Sequence, residues 1–296
     1  MNEQSRGVVR LGRQLLLLVA FFVVVVFLWE GFKWLFGDPW RIDDLLGTGS
    51  YFHQPPFHLL QATDLQLPHV WQIWSALAEP VQRNQDQTLL QYLVGAAAYT
   101  WAEAFIGFSL GAIIGVTLSA IFVHSLLAER ASMPFVITSQ TVPIVALAPL
   151  IVVSFGHGLT SVVIIATYLT FFPVTISQIR GLRSPDFRAM ELMRSYAASN
   201  WAIFWKVRMP ASMPYLFTAL KVAAAASIVG AIIGEGPGGV KEGLGRAIVN
   251  FNQQYVSGPE KLWAAILVAS LTGICFFVAV RIAEVISLRH RQRVQV

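Results

Sequence analysis

Cysteine is almost missing from this chain: one residue, Cys275, in 296. A single thiol excludes an intrachain disulfide and any metal cluster built on cysteine. Charge is scarce as well, at 12% of residues, where soluble domains carry about 25%. No Gly-Lys-Ser/Thr phosphate loop is present, and no general base accompanies a nucleophile. Gly234, Gly236 and Gly239 satisfy G-x-G-x-x-G, but they follow an apolar run rather than a strand, which excludes a dinucleotide site. His53, His58 and His69 share one segment without a carboxylate pattern, so no metal centre is expected. The net charge of +5 is spread between apolar runs and forms no nucleic-acid patch. The first apolar run is too long for a signal-peptide core and lacks a small-residue cleavage site. The chain is expected to be neither an enzyme nor a cofactor carrier.

What the chain has is apolar length. Hydrophobic residues make up 55% of it, and the runs are long enough to cross a bilayer. The expectation is an all-α integral membrane protein with six transmembrane helices, at 15–36, 89–123, 134–155, 159–178, 215–233 and 262–286. Glu30 and Lys33 mark the far end of the first, with Trp29 and Trp34 at the interface. Residues 1–88 divide into a tail, that first helix and a proline-rich outer segment, 37–88, whose stretch 69–82 reads as a short surface helix. Residues 89–286 form the core, and 287–296 a basic tail. Gly95, Gly107, Gly111 and Gly115 line one helix face, where small residues admit a close neighbour. Glu103 is an ionisable group near the membrane, either buried or at its rim. Pro143 and Pro149 interrupt the third run and call for local compensation, often where helices line a pathway.

Between the fourth and fifth runs lies the polar stretch 179–214. Met190, Met193, Ala197, Trp201 and Phe204 recur at helical spacing, Ser199-Asn200 marks a break, and Pro210 and Pro214 punctuate the return. Its pattern resembles the E-A-A, three residues, G, nine residues, I-x-L-P loop of permease subunits from binding-protein-dependent ABC importers. Glu191 holds the glutamate, Leu192 and Met193 the alanines, and Ala197, followed by Ala198, the glycine; Val207 to Pro210 close the motif. Only Glu191 and Pro210 match literally. Thr100, Gly107, Phe108, Gly111 and Gly115 resemble the family's second helix. Pro143, Ala148, Pro149, Leu150, Phe155, Gly156 and Gly158 resemble its P-x-x-A-x-x-P-L and F-G-x-G strings, and Phe171-Phe172-Pro173 matches too. A lysine common after F-G-x-G is replaced, since the pair here reads Ser161-Val162.

The resemblance implies a type I ABC importer permease fold in the inner membrane of a bacterium, with both termini cytoplasmic. Thirteen basic residues fall in the segments this places inside and six outside, counting Lys33 at the outer end of the first helix. It implies that Glu191, Leu192, Met193, Ala197, Ala198, Val207 and Pro210 contact a separate ATP-binding subunit, and that Glu235 matches a glutamate ending the fifth helix. Pro143, Pro149, Glu103 and Glu235 are candidates for the translocation pathway. Further implied partners are an external substrate-binding protein and a second permease copy. The branch resembled serves nitrate, sulfonates, taurine, thiamine-precursor pyrimidines and riboflavin. Low intramembrane charge and the long outer segment favour a neutral heterocycle such as riboflavin or a pyrimidine over sulfonate, taurine or nitrate. An ion-coupled secondary transporter is the alternative from another class; it would rely on Glu103.

Overall fold

The computed structural model describes residues 3–41, 52–57, 59, 62–82, 86–238, 240 and 242–289. His58, Gly239 and the tail 290–296 lie outside them. The chain forms two compact units, one of residues 1–90 with 251–264, the other of 91–250 with 265–296.

In the first unit a long helix, α1 (Glu3–Phe36), leads into a two-residue hairpin of β1 (Trp40–Arg41) and β2 (Phe52–His53), with Trp40 opposite His53. A short helix, α2 (Val70–Ala78), buries Ile73, Ala76 and Leu77. The end of α1 anchors this segment through polar groups. Glu30 accepts from the Val70 N–H at 2.7 Å, at the N-terminus of α2, and meets His69 Nδ1 at 2.8 Å. A carboxylate there satisfies an orphan helix donor and complements the helix dipole. Lys33 is fully buried and ion-paired with Asp64. Trp29 donates to Pro68 O at 3.0 Å. His53 is hydrogen-bonded to Trp34 O and stacks on its ring, while His69 stacks on Trp71 at 3.8 Å. His53 and His69, the two described histidines of this segment, thus have structural partners.

The second unit is built on α3 (Leu89–His124), α6 (Leu159–Leu182), α9 (Met209–Glu235) and α11 (Pro259–Arg289), whose ends at 89–90 and 259–264 belong to the first unit. Between α3 and α6 come α4 (Leu126–Ser139) and α5 (Ile144–Phe155); α7 (Phe187–Ser195) and α8 (Asn200–Ile203) precede α9, and α10 (Leu244–Gln253) follows it. Helix α6 is held between α3 and α9 by glycine contacts. A Cβ on Gly111 would fall 2.5 Å from Thr170, and one on Gly115 2.8 Å from Val174. From the other side Gly230 leaves 2.9 Å to the Ala166 backbone. Gly95, expected on the same face, has nothing within 4 Å, so the close approach begins at Gly107. Deeper in, Gln178 donates to Ser212 Oγ at 2.9 Å.

The six-span expectation is corrected. Among the described residues four helices are long and apolar enough to cross a membrane: Leu89–His124, Leu159–Leu182, Asn200–Glu235 and Pro259–Leu288. The count reaches five only if α4 and α5 form one broken span, and they bend by 100°. The reason is local. Residues 140–143 leave the helix, and Pro143, which has no N–H to continue a ladder, caps α5 in extended conformation. Helix α1, which contains the expected span 15–36, is not among the four, and most of its side chains before Phe22 lie outside the described residues.

Candidate functional site

The polar loop folds into two short helices and a turn. Helix α7 exposes Glu191 and Leu192 and half-buries Met193. It ends in a double backbone closure. Ala197 N–H bonds Arg194 O at 2.9 Å, and Ala198 N–H bonds Met193 O at 3.0 Å. That pair defines a Schellman cap, which needs a left-handed residue, usually glycine. The residue is Ala197, with φ +49°. It is the described non-glycine residue at positive φ, and it stands where the resembling loop has glycine. The helical stripe through Met190, Met193, Ala197, Trp201 and Phe204 is therefore interrupted at its centre. Phe204 is buried while Trp201 is 64% exposed.

Ser199 restarts the chain, accepting from the Ala202 N–H at 3.2 Å. After α8 a π-turn, Phe204–Arg208, carries the chain into α9. Met209 N–H reaches back five residues to Phe204 O. Next comes Pro210, whose ring crowds the carbonyl four residues back in an ordinary helix. The extra residue per turn makes room, and the helical path runs unbroken from Asn200 to Glu235. Val207 and Pro210 are half-buried here. The second half of the loop is thus continuous with an apolar helix.

A second constellation joins Glu103 and Glu235. Glu103 is 1% exposed and Glu235 is fully buried. Their carboxyl groups face each other, with Tyr99 alongside, and no Lys or Arg among the described residues acts on either. Tyr99 and the opposing carboxyl lie close enough to interact with Glu103, though among the described residues no donor meets strict hydrogen-bond geometry at its two oxygens or at Oε1 of Glu235. Around Glu235 the glycine-rich loop closes tightly. Gly245 N–H donates to Glu235 Oε2, and Leu244 N–H donates to Thr100 Oγ1 at 2.9 Å. A Cβ on Gly243, which has φ +115°, would fall 2.5 Å from the Glu235 carboxyl carbon. The pair fastens α3, the end of α9 and the start of α10. The same loop holds the turn after α5, where Gly158 N–H donates to Gly238 O at 2.9 Å.

Pro143 and Pro149 lie apart from this pair, on the bent α4–α5 element, and both are exposed. Around them Val145, Leu150 and Val153 are exposed too, Val153 at 82%. The four pathway candidates therefore separate into a buried acidic fastening and an exposed, broken apolar element. Thr100, Gly243 and Gly245 were missed as partners of Glu235. The Gly243-Leu244-Gly245 string was the available signal, eight residues after a glutamate that ends a helix.

Residues 107–291 match the family described as "Binding-protein-dependent transport system inner membrane component". The chain is similar to the formylaminopyrimidine transport permease protein ThiX of Halalkalibacterium halodurans, 34% identical over 66% of this chain and 76% of that one. It is also similar to the riboflavin transport system permease protein RibX of Chloroflexus aurantiacus, 32% identical over 54% and 59%. Among solved structures it resembles a chain of the inward-facing MetNI methionine ABC transporter, at TM-score 0.47 and 20% identity, over 65% of this chain and 94% of that one. The chain belongs to the ABC-importer permeases, in the nitrate/sulfonate/taurine-like branch that includes the pyrimidine-precursor and riboflavin permeases.

Proposed function

We propose that this permease forms, with a second copy, the membrane path of an importer for a neutral heterocycle, a thiamine-precursor pyrimidine or riboflavin. ATP hydrolysis resides on a separate subunit. That subunit engages α7 through Glu191, Leu192, Met193, Ala197 and Ala198. Val207 and Pro210 pass its movement into α9. The observation that carries this mechanism is the uninterrupted helical path from Asn200 to Glu235, because a rigid helix transmits a push that a flexible linker would absorb. At the far end of that path the Glu103–Glu235 pair ties α9 to α3 and to the glycine loop. The broken α4–α5 element faces the pathway through Pro143 and Pro149, since interrupted helices are tolerated in membranes where they border protein or a cavity.

The cargo reading rests on the names of the two relatives at 34% and 32% identity; the sulfonate, taurine and nitrate permeases match at 24–28%. Membership of this family leaves the ion-coupled carrier without support. Uptake into proteoliposomes holding the full importer tests the cargo. Formylaminopyrimidine or riboflavin uptake that depends on ATP and is not competed by taurine is the expected result. Uptake of taurine or another sulfonate alone would refute the heterocycle.

A further inference from the structure

A groove of about 200 Å³ opens where the end of α3 meets the polar loop. Val123 and His124 form one wall, Met190 and Arg194 of α7 a second, and Asn200 and Arg208 a third. Its chemistry is one-sided. The guanidinium groups of Arg194 and Arg208 make no hydrogen bond or ion pair with the described residues, and the charges acting on Arg208 are those of Arg183 and Arg194. Glu129 is committed to Arg183, accepting from its Nη1 and Nη2 at 2.9 and 2.5 Å. Glu191, one turn before Arg194, is exposed and forms no ion pair with it. The groove is thus lined by two guanidinium groups, Arg194 and Arg208, with no acid paired to either among the described residues.

We propose that this groove binds the phosphate headgroup of an anionic membrane lipid. Arginine forks match phosphate oxygens in pairs, which makes them the preferred donors for such a group. The position of the groove selects a lipid over a soluble anion. Val123 and His124 end one apolar helix, Leu89–His124, and Arg208 lies near the start of another, Asn200–Glu235. Each helix is 36 residues long, more than the roughly 20 that cross the hydrocarbon, which leaves length for such an end to reach the headgroup level. Trp201 and Trp205, on the same turn as the groove, are 64% and 50% exposed. Exposed indoles belong to that interfacial level. Phe204 packs between them and His124, with ring centroids 5.0 Å apart to the histidine. A lipid seated there touches α3, α7 and the root of α9 at once, and fixes the angle at which the loop leaves the membrane. The inference is independent of the cargo.

The test uses the full chain in complex with its ATP-binding subunit, taken through delipidation and then offered phosphatidylglycerol, phosphatidylcholine or inorganic phosphate. Retained lipid is read by native mass spectrometry. Wild type is expected to hold one phosphatidylglycerol per permease through delipidation, in preference to phosphatidylcholine and undisplaced by millimolar phosphate. The double variant Arg194→Gln/Arg208→Gln is expected to bind it roughly thirtyfold more weakly, the effect of two near-surface cations. Arg188→Gln, outside the groove, leaves binding unchanged. Arg194→Lys/Arg208→Lys guards against a folding defect: it keeps the charge, so it recovers most of the affinity. Equal retention by wild type and the double Gln variant would overturn the proposal. So would displacement by inorganic phosphate alone. Loss of the ATP-binding subunit from the double variant with lipid retention unchanged would also overturn it, by making the groove a protein contact.

Discussion

Ala197 is the residue whose identity and conformation disagree. A left-handed backbone costs a residue with a Cβ about 1–2 kcal/mol, and glycine almost nothing. The cap that closes α7 requires that conformation, so the chain carries that cost at Ala197. Ala197→Gly is expected to stabilise the loop by about 1 kcal/mol. Slower amide exchange at Tyr196–Ala198 in detergent would show it. Ala197→Val is expected to act oppositely and more strongly, since a branched Cβ is least tolerated there. Lys33 gives a second residue-scale expectation. It is fully buried, but its partner Asp64 is 40% exposed, so Lys33→Ala leaves a partly solvated acid rather than a stranded buried charge, a loss of about 1–3 kcal/mol. Lys33→Ala should lower the unfolding midpoint clearly, and Lys33→Ala combined with Asp64→Asn should recover part of the loss. Glu103 predicts the reverse sign. Two acids face each other without a basic partner and, so close and so buried, cannot both ionise, so Glu103→Gln supplies a permanent donor to Glu235 where an acid needs a bound proton to donate. A gain on the order of 1 kcal/mol is expected in thermal unfolding, whereas Glu103→Ala leaves a void and should destabilise.

At the scale of elements, packing is decided by where glycine meets a neighbour. Gly111→Val would drive a side chain into Thr170 on α6, where even a Cβ comes within 2.5 Å. Such overpacking costs about 1–3 kcal/mol, and the effect should appear as a lower midpoint of unfolding in detergent. Gly95→Ala is the control. Nothing lies within 4 Å of it, and alanine is favoured over glycine inside a helix by about 0.5–1 kcal/mol. That substitution should be neutral or stabilising. The contrast also shows what was legible beforehand. The spacing of Gly107, Gly111 and Gly115 announces a close helix contact, because small residues four apart can serve little else. Spacing cannot say which helix arrives, and it wrongly enlisted Gly95. The third apolar run was read as one span because hydropathy counts residues and ignores direction. Pro143 was visible, but a 100° bend depends on how α5 packs against α6, which no local signal reports. Likewise Glu235 was recognised while its partners were not, since Thr100 and Gly245 are far away in sequence and meet it only through the fold.

For the whole molecule, the question is whether the loop is an input or only a connection. Glu191 decides it because the permease itself has no use for the side chain: it is exposed, and it makes no hydrogen bond or ion pair with the described residues. Replacing it by arginine should leave the chain as stable as wild type, within about 0.5 kcal/mol, as for most surface changes. The effect is expected only in the assembled importer. If α7 is the face that meets the ATP-binding subunit, Glu191→Arg puts a cation where an anion is read, and like-charge or unmatched contacts at an interface cost several kcal/mol. Wild type should then retain the ATP-binding subunit through purification. The variant should lose it, or keep it while ATP hydrolysis no longer responds to cargo. Gly111→Val should behave differently, with both stability and transport falling together, because it damages the helix packing rather than the contact. A Glu191→Arg permease that remains stable, keeps its partner and transports normally would show that force enters elsewhere. The unbroken path from Asn200 to Glu235 would then be a structural strut and not a lever.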